Sequence, residues 1–155
     1  NLYCFWTGTN EMSNTRKTCL KSLKNTMFNI VLITPDNLDR YILQDHPLHP
    51  GYKYLSETHK SYYLRTYFMY FYGGGYSDIK ESKHSWIPSY EKLINDPHAM
   101  AIGYQEIENG VASIGNPYLE EQHQYFIGNG SYIFKPNTDF ARDWYTEMLQ
   151  VMDNK

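Results

Sequence analysis

The sequence predicts an α/β fold: one central sheet, mixed but mostly parallel, flanked by helices. Three observations carry this prediction. An opening strand, helix and strand follow each other at the spacing of a parallel βαβ unit, a long aromatic helix runs into three glycines, and a late strand precedes a closing helix. At 155 residues the chain fits one domain with a real core and leaves no room for a second.

Residues 2–7 (LYCFWT) read as a buried first strand stopped by Gly8. Residues 14–25 read as a helix that turns Cys19, Leu20, Leu23 and Met27 toward the core and leaves Arg16, Lys17, Lys21 and Lys24 mostly wet. Residues 28–34 (FNIVLIT) give the strongest strand signal, a β-branched run ended by Pro35-Asp36-Asn37, which starts a turn or a brief helix. This makes residues 1–80 a Rossmann-like half. Residues 45–54, with His46, Pro47, His49, Pro50 and Gly51, read as an irregular surface loop.

In residues 56–72, Ser61, Leu64, Tyr67/Phe68 and Phe71 recur at three and four residues, so an amphipathic helix runs into Gly73-Gly74-Gly75. Those glycines permit positive φ and a tight turn, and Tyr76-Ser77-Asp78-Ile79 then alternates like a short strand carrying one carboxylate. A plain helix C-cap followed by a solvated Asp fits the same residues. In residues 81–155 the reading is a Trp86-Ile87-Pro88 break, a helix at 89–95, a strand at 99–106 and a turn at Asn109-Gly110. A polar loop through 116–124 follows, then a strand at 125–134 interrupted by Gly128 and Gly130. A closing helix after Pro136-Asn137 puts Phe140, Trp144 and Met148 on one face.

Composition narrows the function. A net charge of −3 argues against a nucleic-acid backbone binder, which needs a clustered basic surface. Sixteen Tyr, seven Phe and three Trp supply rings suited to sugars and bases, though most should be packing. Cys4 and Cys19 give neither a disulfide framework nor a metal spacing, and read as free thiols. No apolar run approaches the roughly 18 residues of a membrane span, and no secretory signal opens the chain, so a cytoplasmic location is expected.

The motifs carry more. Trp6-Thr7-Gly8 closes the first strand, and Ser61, Arg65, Tyr72, Gly73, Gly74, Tyr76 and Asp78 follow at fixed spacing. Together they resemble the GT-A glycosyltransferases that carry a sugar-binding region with a DXD motif, related to capsular polysaccharide synthesis proteins. The resemblance is good over the first 80 residues and is one of strand order beyond them. It implies a GT-A-like fold and a transferase that moves a sugar from a nucleoside diphosphate, UDP above all, to a glycan or glycoprotein, with retention of configuration. It also implies a longer polypeptide, because residues 81–155 make a short acceptor-side half. Two positions depart from the pattern: Tyr62 stands for an Asp, and Lys80 stands for the second acid of DXD.

The resemblance makes Trp6, Thr7 and Gly8 the nucleotide edge, and Gly74, Gly75, Tyr76 and Ser77 contacts to ribose or sugar. Asp78 becomes the ligand of Mn²⁺ or Mg²⁺ and the central catalytic acid, and Arg65, one turn beyond Ser61, holds either Asp78 or phosphate through its fork. Trp6 as core and Thr7 as turn fit equally well. Asp78 and Lys80, two apart on a strand, share a face, so Lys80 either pairs with Asp78 or itself neutralises diphosphate. Otherwise Asp78 holds the ion with diphosphate oxygens, water and Glu81. Glu106 is the candidate base of an inverting enzyme, and Asn129 the polar support of a retaining one. The six histidines show no ligand spacing, His84 being the one nearest to Asp78 in sequence. A lectin-like module that uses its tyrosines is the competing reading.

Overall fold

The computed structural model describes residues 1–106 and 116–154. Five strands, β1 (Leu2–Phe5), β2 (Ile30–Ile33), β3 (Gly74–Ser77), β4 (Ala101–Gln105) and β5 (Ile127–Phe134), form one sheet in the order β2-β1-β3-β5-β4. β1 pairs in parallel with both β2 and β3, while β5 pairs antiparallel with both β3 and β4. The sheet is therefore mixed, not mostly parallel. Its parallel half is the predicted βαβ unit, with Leu2 to Phe5 in register with Ile30 to Ile33.

The side-chain alternation of β1 divides the core. Tyr3 and Phe5 face α2 (Glu57–Phe71) and α5 (Asp139–Asp153), where Phe68 is fully buried with its ring 4.9 Å from that of Tyr3 and 5.2 Å from that of Phe5. Leu2 and Cys4 face the other way, against Leu23, Ile79 and Trp86, under α1 (Asn14–Ser22). Helices thus cover both faces of the sheet. Ser13, Ser56 and Thr138 cap α1, α2 and α5 by accepting the amides of Arg16, His59 and Ala141.

Several local expectations change. Met27 is 69% exposed rather than buried, because α1 passes into a 3₁₀ turn (Leu23–Thr26) that ends with Met27 at φ 66°. Residues 50–54 of the expected irregular loop form another 3₁₀ turn, capped by His49. Pro88 lies in the first turn of α3 (Ile87–Asn95) rather than breaking the chain, since its missing N–H has no partner there to lose. Asn116 likewise caps a short α4 (Pro117–Glu121) inside the expected polar loop. In α5 the buried residues are Ala141 and Tyr145, while Phe140 is exposed and stacks on Phe134. The expected Asn109-Gly110 turn lies outside the described residues.

Candidate functional site

β1 sends the chain to β2 on one side and receives β3 on the other, so the connections diverge between β1 and β3. In open α/β sheets ligands bind outside the carboxyl ends of strands at such a point. A cleft of about 420 Å³ lies there, lined among others by Trp6, Thr7, Gly8, Arg16, Arg65 and Asp78. Ser61, Tyr62 and Glu57 from the start of α2 complete its wall.

The loop after β1 is fixed by two side chains. Trp6 donates its indole N–H to the Asn10 carbonyl (2.9 Å), and Thr7 donates its hydroxyl to the Glu57 carbonyl (3.0 Å). The Thr7 and Lys60 contacts hold the Glu57 carboxyl below its usual range.

Asp78 sits just past β3, not at the start of a strand. Its backbone amide donates to Gly130 (2.8 Å), and the Lys80 amide folds back onto the Asp78 carbonyl (2.8 Å) in a tight turn. The Tyr76 hydroxyl donates to Asp78 Oδ1 at 2.5 Å, and Lys80 Nζ lies 3.2 Å from Oδ2. Of the sequence alternatives for Lys80, the structure shows pairing with Asp78. A turn, rather than an extended strand, brings the two together.

Tyr76 and Ser77 are 2% and 7% exposed, so they support Asp78 rather than line the cleft. Ser77 donates to the Asp78 carbonyl, and burial keeps the Tyr76 phenol firmly protonated, held far above its ordinary pKa even against the pull of Arg65. Gly74 and Gly75 begin β3, before Tyr76, and pack against Asn1, Leu2, Phe28 and Trp86. They are not cleft residues. Gly73 and Gly74 are required by φ values of 61° and 85° and by the closeness of Pro136 and Asn1, so the glycines serve the fold.

Arg65 is 5% exposed. Its Nη1 donates to the carbonyl and to Oδ1 of Asn129 (2.7 and 3.0 Å), and its guanidinium carbon lies 4.2 Å from the Tyr62 ring centre and 4.9 Å from that of Tyr76. Tyr62, where the resemblance expects an acid, thus gives Arg65 a ring instead of a carboxylate. Arg65 Nε and the Tyr132 hydroxyl make no hydrogen bond of full geometry among the described residues. The guanidinium nonetheless pulls against the effect of burial on Tyr132, so the two groups face one another.

Arg16, assigned to a wet helix face by periodicity, reaches across to donate Nη1 to the Ile79 carbonyl at 2.5 Å and lines the cleft. Asn129 positions Arg65 and lines a neighbouring groove of about 440 Å³ between α2 and α5, with Trp144 and Glu147. Tyr62 and Arg65 belong to both cavities. Glu106 follows β4, pairs its amide with Phe126 (3.4 Å) and lines neither cavity.

No family model, no curated protein and no solved structure matches this chain. No helix of the described residues is long and apolar enough to cross a membrane.

The donor set can be judged for Mn²⁺ or Mg²⁺. These hard cations require several oxygen ligands, and Asp78 offers one carboxylate with both oxygens engaged, one of them by an ammonium. Glu81 pairs with Lys83 at 3.4 Å and Glu57 with Lys60 at 3.1 Å. Among the described residues no group of three or more His, Cys, Asp or Glu is arranged to hold an ion. The protein's own groups thus offer a divalent cation one carboxylate, already engaged by Tyr76 and Lys80.

Proposed function

We propose that this chain is a GT-A-like glycosyltransferase domain that moves a hexose or deoxyhexose from a nucleoside diphosphate, UDP first among them, to a glycan acceptor. One observation carries the reading: the strand end Trp6-Thr7-Gly8, the buried Arg65 and the anchored Asp78, which are far apart in sequence, share one cleft at the β1/β3 divergence. They are among the residues on which the sequence resemblance rests.

The chemistry asked of the cleft is limited. The bond between the anomeric carbon and the β-phosphoryl oxygen breaks with its electron pair going to that oxygen, and the acceptor hydroxyl oxygen bonds to carbon. In a retaining course the acceptor approaches from the side of departure, and its proton passes to the departing phosphate. Fixed cations beside the diphosphate stabilise the growing charge. In this reading Asp78, freed of Lys80, accepts a sugar hydroxyl through Oδ2 while Tyr76 keeps its Oδ1 in place.

The adjoining groove, with Trp144 as a platform and Asn129 and Glu147 as polar groups, suits the acceptor. The same groove favours a second reading, a lectin-like module. Calorimetry with UDP and with free oligosaccharides separates the two. Measurable UDP binding together with loss of sugar transfer in Asp78→Ala supports the transferase, whereas oligosaccharide binding without UDP binding supports the lectin. Full transfer activity in Asp78→Ala sinks the assignment.

A further inference from the structure

We infer that the cleft takes its nucleoside diphosphate without a divalent ion, using an exchange in which Lys80 leaves Asp78 for the phosphates beside Arg65 and Arg16. The inference deepens the donor-site reading and rests on it. Three independent features point to it.

The first is Lys80 itself. Its ammonium stands 3.2 Å from Asp78 Oδ2, where the resemblance expects a second metal-binding acid, so it occupies the side of Asp78 that an ion would need. Its side chain is 70% exposed and that of Asp78 32%, and a pair so open to water is weak enough to exchange partners. A lysine on a flexible stem delivers a compact charge to phosphate with no geometric demand.

The second is Arg65. A buried guanidinium normally has a carboxylate to offset its lost hydration. Among the described residues none lies within 4.0 Å of Arg65, whose partners are the carbonyl and amide oxygens of Asn129 and two aromatic faces. Its charge faces a cleft wide enough for an anion. Substituting Tyr62 for an acid removes the internal counter-ion and leaves the attraction to the ligand.

The third is Arg16, aimed at the same cleft from α1 and held by the Ile79 carbonyl, one residue past Asp78. Two arginines and a lysine then meet a group that carries two negative charges in the sugar nucleotide and gains a third on departure. Lys80 takes an acid from the metal site and Tyr62 takes a counter-ion from Arg65, and both changes make the cleft more cationic. That shared direction is the core of the case.

The test is calorimetric titration of the intact chain with UDP, in EDTA and in MnCl₂ at matched ionic strength, for the native protein and for Lys80→Ala and Lys80→Arg. The expected result is native affinity that agrees within about threefold between EDTA and Mn²⁺, falls about tenfold or more in Lys80→Ala in both buffers, and largely returns in Lys80→Arg. Lys80 is exposed, so the variants should fold, and unchanged circular dichroism checks this. Binding that Mn²⁺ tightens by about tenfold or more overturns the inference and leaves the donor site standing, as does native affinity in Lys80→Ala. Absence of UDP binding in both buffers overturns the inference and the donor site together.

Discussion

At the scale of single residues, the guanidinium of Arg65 does three things that an ammonium cannot do at once. It donates twice to Asn129 through one nitrogen, lies between the rings of Tyr62 and Tyr76, and keeps further N–H groups for the cleft. Arg65→Lys retains the charge but loses that plane. We expect UDP affinity to fall about tenfold or more in calorimetry, with thermal stability reduced by only about 1–2 kcal/mol. Unchanged affinity would show that Arg65 serves the fold alone. Asp78 and Trp6-Thr7-Gly8 were legible in the sequence because each follows the end of a strand, whereas Arg65, midway along α2, was legible only through its spacing in the resemblance. Arg16 was not: periodicity gives the direction of Cα–Cβ, whereas its long side chain bends back to Ile79. Tyr76 and Ser77, expected as ligand contacts, are buried beside β5, a neighbour that the sequence does not show.

At the scale of elements, the glycine run is where helix α2 becomes strand β3. The amides of Tyr72 and Gly73 both donate to the Phe68 carbonyl, and Gly73 takes the left-handed conformation that ends a helix. A Cβ on Gly73 would stand 2.6 Å from Pro136 and 2.9 Å from the Phe134 carbonyl, so the turn is locked against the end of β5. Gly73→Ala therefore combines a strained φ with overpacking, and roughly 2–4 kcal/mol of stability should be lost in urea unfolding. Gly75→Ala, with ordinary φ and its nearest neighbours 3.3 Å away, should cost clearly less. Equal losses would show that the φ strain is unimportant. The helix and its glycine stop could be read from spacing and composition. The strand boundary could not, because Gly74-Gly75 has little strand propensity and is extended only by pairing with β1 and β5. The short α4 was hidden for the opposite reason: a polar sequence obscures a helix whose start depends on one Asn cap.

At the scale of the whole molecule, strand order and direction lay beyond the sequence. Residues 127–134 read as a strand, but their antiparallel place between β3 and β4 depends on pairing with β3 across more than fifty residues as well as with the nearer β4. The aromatic content, legible from the start, has a consequence for the fold as a unit. Burial pushes the Cys4 thiol up to about 12, with the nearby Asp78 charge adding to the effect. Burial likewise holds the Tyr76 and Tyr132 phenols far above their ordinary range, outweighing the opposite pull of Arg65 on both. In the unfolded chain these groups ionise near their usual values of about 8.5 and 10. Above that range the native state holds more protons than the unfolded state, so stability falls as pH rises, while below about pH 8 these groups make no difference. Counting only these three, stability should drop by about 4 kcal/mol between about pH 8 and about pH 10.5. Urea unfolding across that range measures the loss, and the part of the tyrosinate absorbance that belongs to the buried phenols should appear only with unfolding. A flat stability profile, or tyrosinate forming fully in the folded chain, would mean that the sheet does not seal these groups from water.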